Sequence, residues 1–84
     1  MKPVQEMLNR IRWDEAWADD EFKIGYYDRV EQRIVVVAFK EIFFPKDDHF
    51  SFDLIDQEGE WHSVPYHRVK AIYRNGRLIW HRKH

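Results

Sequence analysis

The sequence predicts an α+β domain: an N-terminal helix packed on a strongly bent antiparallel sheet of five or six strands, or on the same strands closed into a small barrel. Three observations lead there. Val4, Met7, Leu8 and Ile11 recur at helical spacing. From Phe22 onward the apolar period changes to two. Asn75-Gly76, between two β-branched and aromatic runs, is a hairpin signal because both residues tolerate positive φ.

Taken in order, the helix is expected over residues 2–12, with Pro3 at the first helical position, where a missing N–H costs nothing. A helix this short must dock on the rest of the fold. Asp14 is placed to cap a short turn through Ala16. Phe22, Ile24 and Tyr26 then point to one side of a strand. After a polar break at 28–32, the run Arg33 to Phe39 is apolar on both sides and reads as a central, covered strand. Residues 45–48 form a turn. In the next strand Phe50, Phe52 and Leu54 oppose Ser51 and Asp53. A turn with Gly59 leads to residues 61–64, which end at Pro65. The hairpin 69–74 and 77–81 closes the sheet. Val37-Ala-Phe-Lys-Glu-Ile42 and Val64-Pro-Tyr-His-Arg-Val69 echo each other, which predicts two similar strand-corner units.

Eighty-four residues predict a single domain, 1–84. With no cysteine, disulfides, thiolate metal sites and cysteine nucleophiles are excluded. Aromatic residues make up 17% of the chain and supply the core area that so few residues need. No apolar run approaches the roughly 20 residues that span a bilayer, and the N-terminus lacks a signal-peptide pattern, so a cytoplasmic protein without membrane partners is expected.

The net charge of -1 hides an asymmetry. Residues 61–84 contain no carboxylate but hold Arg68, Lys70, Arg74, Arg77, Arg82 and Lys83 with four histidines; residues 41–60 are strongly acidic. Such a split serves either cross-strand pairing or a local site for a phosphate-bearing partner. The near-zero balance argues against broad coating of nucleic acid.

Three sets of residues suit RNA. In Tyr66-His67-Arg68, the guanidinium fork matches phosphate oxygens and the imidazole donates beside it. Tyr27-Asp28-Arg29 combines a ring for a base, an acceptor for a ribose hydroxyl and a cation. Arg10 and Arg12, after Asn9, end the helix, where they also suit its dipole. The bland alternatives are a paired Arg68, an Asp28 that only shapes its turn, and solvated tail histidines at His81 and His84. No catalytic residues are assigned. His49-Phe50-Ser51-Phe52 matches one His-x-Ser-x element of two-histidine phosphoesterases, but no second copy occurs. Neither a cofactor nor a metal site is predicted, since no ligand spacing is recognisable.

Val4-Gln-Glu-Met-Leu-Asn-Arg-Ile-Arg-Trp-Asp14, Ile24-Gly-Tyr-Tyr-Asp-Arg29, and Val64-Pro-Tyr-His-Arg-Val69 followed by Gly76-x-Leu-Ile-Trp80 occur in this order across nearly the whole chain. Together they resemble the RNA cyclic-group end recognition domain family, found chiefly in archaea as short stand-alone proteins. Elsewhere the domain is fused to two-histidine phosphoesterase or nucleotidyltransferase-like modules. The resemblance implies a non-enzymatic RNA-binding module that recognises ends carrying a 2′,3′-cyclic phosphate. Arg10, Arg12, Tyr27, Asp28, Arg29, His67 and Arg68 are the matching positions. The alternatives are a ribosome-associated accessory contacting ribosomal RNA and ribosomal proteins, and a small phosphoesterase using His49 and His67.

Overall fold

The computed structural model describes residues 3–83. Helix α1 (Val4–Trp13) leads through a short 3-10 turn to β1 (Phe22–Asp28) and β2 (Arg33–Ala38). A second turn, Phe39–Glu41, precedes β3 (Ile42–Phe43), β4 (Ser51–Ile55) and β5 (Trp61–Pro65). A third, Tyr66–Arg68, opens onto β6 (Val69–Arg74) and β7 (Arg77–His81). The single bent sheet expected from the sequence is instead two antiparallel sheets, one ordered β2-β1-β6-β7 and one ordered β3-β4-β5. They form no closed barrel. Seven short strands replace the expected five or six because Ile42–Phe43, past the first corner, pairs with β4 as a strand of its own.

The helix stripe behaves as its spacing predicts: Val4, Met7, Leu8 and Ile11 are buried. Pro3, however, is the N-cap in extended geometry, and its carbonyl accepts from the Glu6 and Met7 amides. Lys2, expected to open the helix, and His84, expected in a solvated tail, lie outside the described residues. Asp14 ends the helix, and its side chain accepts from the Ala16 amide at 2.9 Å, the cap expected of it.

The echo between residues 37–42 and 64–69 is a repeated backbone device. In each copy an extended residue (Ala38, Pro65) enters a three-residue turn, and the amide of the next aliphatic residue closes on the first carbonyl, Ile42 to Phe39 and Val69 to Tyr66. The two corners carry the chain between sheets in opposite directions. Ile42 and Val69 are buried at the exits, and Phe39 and Tyr66 pack against the core. Phe52, fully buried in β4, receives the edge of Tyr26 from one sheet and stacks on Tyr66 from the corner.

Two strand assignments need correction. Arg33 to Phe39 does not make a central strand: β2 lies at a sheet edge, with Ile34 and Val36 exposed, and Phe39 belongs to the corner. Only one face of β2 is covered: Val35 and Val37 pack against the core, while Ile34 and Val36 point to the outer side. Phe50 is also not in the core; it precedes β4 and is exposed. Its amide instead donates to Asp48, and its carbonyl accepts from the Tyr66 amide at 2.8 Å, tying the loop to the second corner.

That corner is clamped from the other side. The Arg82 guanidinium donates to the carbonyls of Val69 and Tyr66, and its amide donates to Lys70. Charge-assisted bonds to otherwise weakly paired carbonyls are each worth about 1.5–3 kcal/mol. Replacing Arg82 by Met keeps much of the aliphatic stem but removes the donors, so urea unfolding should show a loss of about 2–4 kcal/mol. Arg82→Lys should recover only part of it, since an ammonium cannot present the same planar fork.

Candidate nucleic-acid interface

The β1–β6 register locates two of the three candidate sets. Tyr26 pairs with Val69, so the end of β1 lies against the residue at which the chain leaves the Tyr66–Arg68 corner. A bulge between Gly25 and Tyr26 leaves Lys70 as the extra residue of β6. Bulges increase twist and re-aim side chains, and this one sits where β6 meets the corner. The corner also packs against both β1 and α1. Arg12, from the last turn of the helix, lies near enough to Tyr66 for its charge to lower the phenol pKa, opposing the larger upward push of burial. Arg12, Tyr27, His67 and Arg68 therefore come from three elements that pack on one another, α1, β1 and the corner, while Arg29 lies in the turn beyond β1.

The local bonding separates structural cations from available ones. Arg74 bonds Asp20 at 2.7 Å and lies over the Trp17 ring, and Arg82 holds the corner carbonyls. Structural contacts, neither of them an ion pair between strands, thus occupy part of the basic segment. Arg68 and Arg29, by contrast, have no hydrogen bond or ion pair among the described residues, and His67 is exposed without a partner among them. Arg12 has no carboxylate partner among them either; its guanidinium sits 4.2 Å from the Phe44 ring centre and 5.0 Å from that of Trp13. Such stacking orients the fork while leaving its N–H groups in the ring plane free to donate.

Two members of the sets are engaged elsewhere. Arg10 bonds Asp14 at 3.1 Å and lies 3.9 Å over Trp17, on the opposite side of α1 from Arg12. Asp28 shapes its turn: one carboxylate oxygen accepts from the Val30 and Glu31 amides, and its carbonyl accepts from Gln32. The other carboxylate oxygen takes no bond from the described residues. His49 is exposed, while the Ser51 hydroxyl beyond it is buried and donates to Asp48 at 2.6 Å. That bond helps hold the Asp48 carboxyl below its usual range.

Sequence reasoning did not single out Trp13, Phe44 or Tyr73. Trp13 is 73% exposed, and its position off the Val4-Leu8-Ile11 stripe carried that signal. Phe44 follows a two-residue strand, and nothing in its neighbours pointed to Arg12. A cleft of about 520 Å³ lies at the other end of β1, lined by Trp17, Phe22 and Phe39. Asp19, Asp20 and Glu21 ring it, and carboxylates oppose a phosphate ligand. No group of three or more metal-ligating side chains occurs among the described residues, and no helix among them is long and apolar enough to cross a membrane.

The model of the MJ1316 RNA cyclic group end recognition domain family matches residues 1–82, and the chain belongs to that family. No curated protein and no solved structure matches it.

A second polar cluster flanks the β4–β5 turn. His62 bonds the Asp56 carboxylate, which raises the imidazole pKa above its ordinary 6.5, with a smaller upward push from the Asp28 charge. Asp56 is lowered, chiefly by the Glu60 amide and then by His62. A raised histidine contributes stability in full below about pH 6.5 and loses it as pH rises through its folded-state value. Asp56→Asn keeps an acceptor for the turn amides. NMR titration should therefore show the His62 midpoint above 6.5 in the parent chain and lower in Asp56→Asn. The stability gap between the two should shrink between pH 6 and pH 8.

Proposed function

We propose that this family member binds RNA at the Tyr66–Arg68 corner without cleaving it, and that it selects ends bearing a 2′,3′-cyclic phosphate. The observation that carries the reading is the availability of the corner cations. Arg68 and Arg29 have no partner among the described residues, although carboxylates are as numerous in the chain as cations. Arg12 and His67 stand at the same bend.

The chemistry follows from the ligand. A cyclic phosphodiester carries one negative charge and two non-bridging oxygens, a match for one guanidinium fork and one imidazole donor. In this reading Arg68 takes the oxygens and His67 donates beside it. Arg12 and Arg29 add local positive potential, and Tyr27 stacks the terminal base. The free oxygen of Asp28 accepts from a ribose hydroxyl. Arg10, held by Asp14 and Trp17, contributes through the helix end rather than by contact. The family is named for recognition rather than turnover, and the proposal assigns no acid or base.

Fluorescence titration with matched oligonucleotides tests this. Arg68→Ala should weaken binding of a cyclic-phosphate end by about 1.5–3 kcal/mol, roughly ten- to hundredfold, and a 3′-hydroxyl end by much less. Equal losses on both would favour the other reading of the same surface, a ribonucleoprotein accessory that contacts backbone wherever it lies. Conversion of the cyclic phosphate that depends on His49 would instead revive a phosphoesterase.

A further inference from the structure

The outer face of the four-stranded sheet, away from α1 and β3–β5, is left uncovered by the described residues. Strand register assigns it Ile34, Val36 and Ala38 from β2; Lys23, Gly25 and Tyr27 from β1; Ala71 and Tyr73 from β6; and Leu78 and His81 from β7. Val36 is 51% exposed and Leu78 46%. The middle of this face is flat because Gly25 has no side chain, and a Cβ there would meet the Ile34 methyl at 3.2 Å.

Two properties identify what would cover it. The first is charge: although 15 carboxylates occur in the chain, none belongs to these strand positions, where the ionisable groups besides the tyrosines are Lys23 and His81. At the rim, Glu31 is bonded to Arg33, Asp28 to its own turn and Asp20 to Arg74, while Asp19 and Glu21 lie around the cleft at the Lys23 end. The second is continuity: Tyr27 lies on this face one residue past Tyr26, which pairs with Val69 at the exit of the corner, so a chain held at the corner has the sheet beside it. Tyr73 pairs with Lys23, four residues along β1 from Tyr27. Its ring has no hydrogen bond or ring contact among the described residues.

We propose, resting on the reading of the corner as an RNA-end site, that the nucleotides preceding that end cross this open sheet face as a single strand, with Tyr73 stacking a second base. Four strand residues span about 13 Å. Stacked bases are about 3.4 Å apart, so Tyr27 and Tyr73 serve bases on separate nucleotides of an extended strand. The ligand class is therefore a single-stranded 3′ tail rather than an isolated cyclic nucleotide or a blunt duplex. Open sheets with exposed rings suit this because every base has a π-face.

The test uses three probes: adenosine 2′,3′-cyclic monophosphate, a tetranucleotide with a cyclic-phosphate end, and the same tetranucleotide with a 3′-hydroxyl. Tyr73→Ala should weaken both tetranucleotides roughly 5- to 100-fold and leave the mononucleotide unchanged, with Tyr73→Phe behaving as the parent. Unaltered tetranucleotide binding in Tyr73→Ala overturns the proposal, as does an equal loss on all three probes. So does a dimer that Val36→Lys dissociates without any change in RNA affinity, since the face would then belong to a second copy. If Tyr73→Ala weakens the tetranucleotides while Arg68→Ala affects neither, the end site fails and the sheet path stands.

Discussion

The second corner owes its geometry to Arg82. The Tyr66 carbonyl accepts both the Val69 amide that closes the turn and the guanidinium of Arg82, which follows β7 and also takes the Val69 carbonyl. With Tyr66 stacked on Phe52 and its amide bonded to the Phe50 carbonyl, the next residues are an exposed His67 and a half-buried Arg68. The cations of the basic segment thus differ in what they hold, and the charge split along the sequence is not a uniform basic surface.

Where local chemistry decided conformation, the sequence was legible. The α1 stripe, the Asp14 cap and the Asn75-Gly76 turn depend on spacing, on a carboxylate near an amide, or on tolerance of positive φ; both turn residues adopt it. The repeated corners were visible as an aromatic–aliphatic echo. Less legible was what packs against what. The β-branched run of β2 carries the same signal whether a second layer covers it or not, and only the placement of β1 between β2 and β6 shows that it is an edge. Phe50 failed for a similar reason: alternation assigned it a face, but the Asp48 side chain captures its amide and ends the pattern before β4.

For the candidate residues, the sequence distinguished types but not commitments. Arg10 and Arg12 are two positions apart and look alike on paper; about 200° of helical rotation gives one a carboxylate and the other two aromatic rings. Arg68 and Arg74 share a strand-corner segment, yet only Arg74 has Asp20 within reach. The pairing of Tyr26 with Val69 beside the corner depends on a one-residue bulge that no composition or spacing announces.

The two corners share a backbone plan but differ in what they present. At the corresponding places of the turn the first holds Lys40 and Glu41, a pair that cancels; the second holds His67 and Arg68, which do not. The scaffold therefore offers one bend in two copies with different chemical dress. Both turns close through the same main-chain bond, so the difference between the two bends lies in their side chains rather than in their backbone plan.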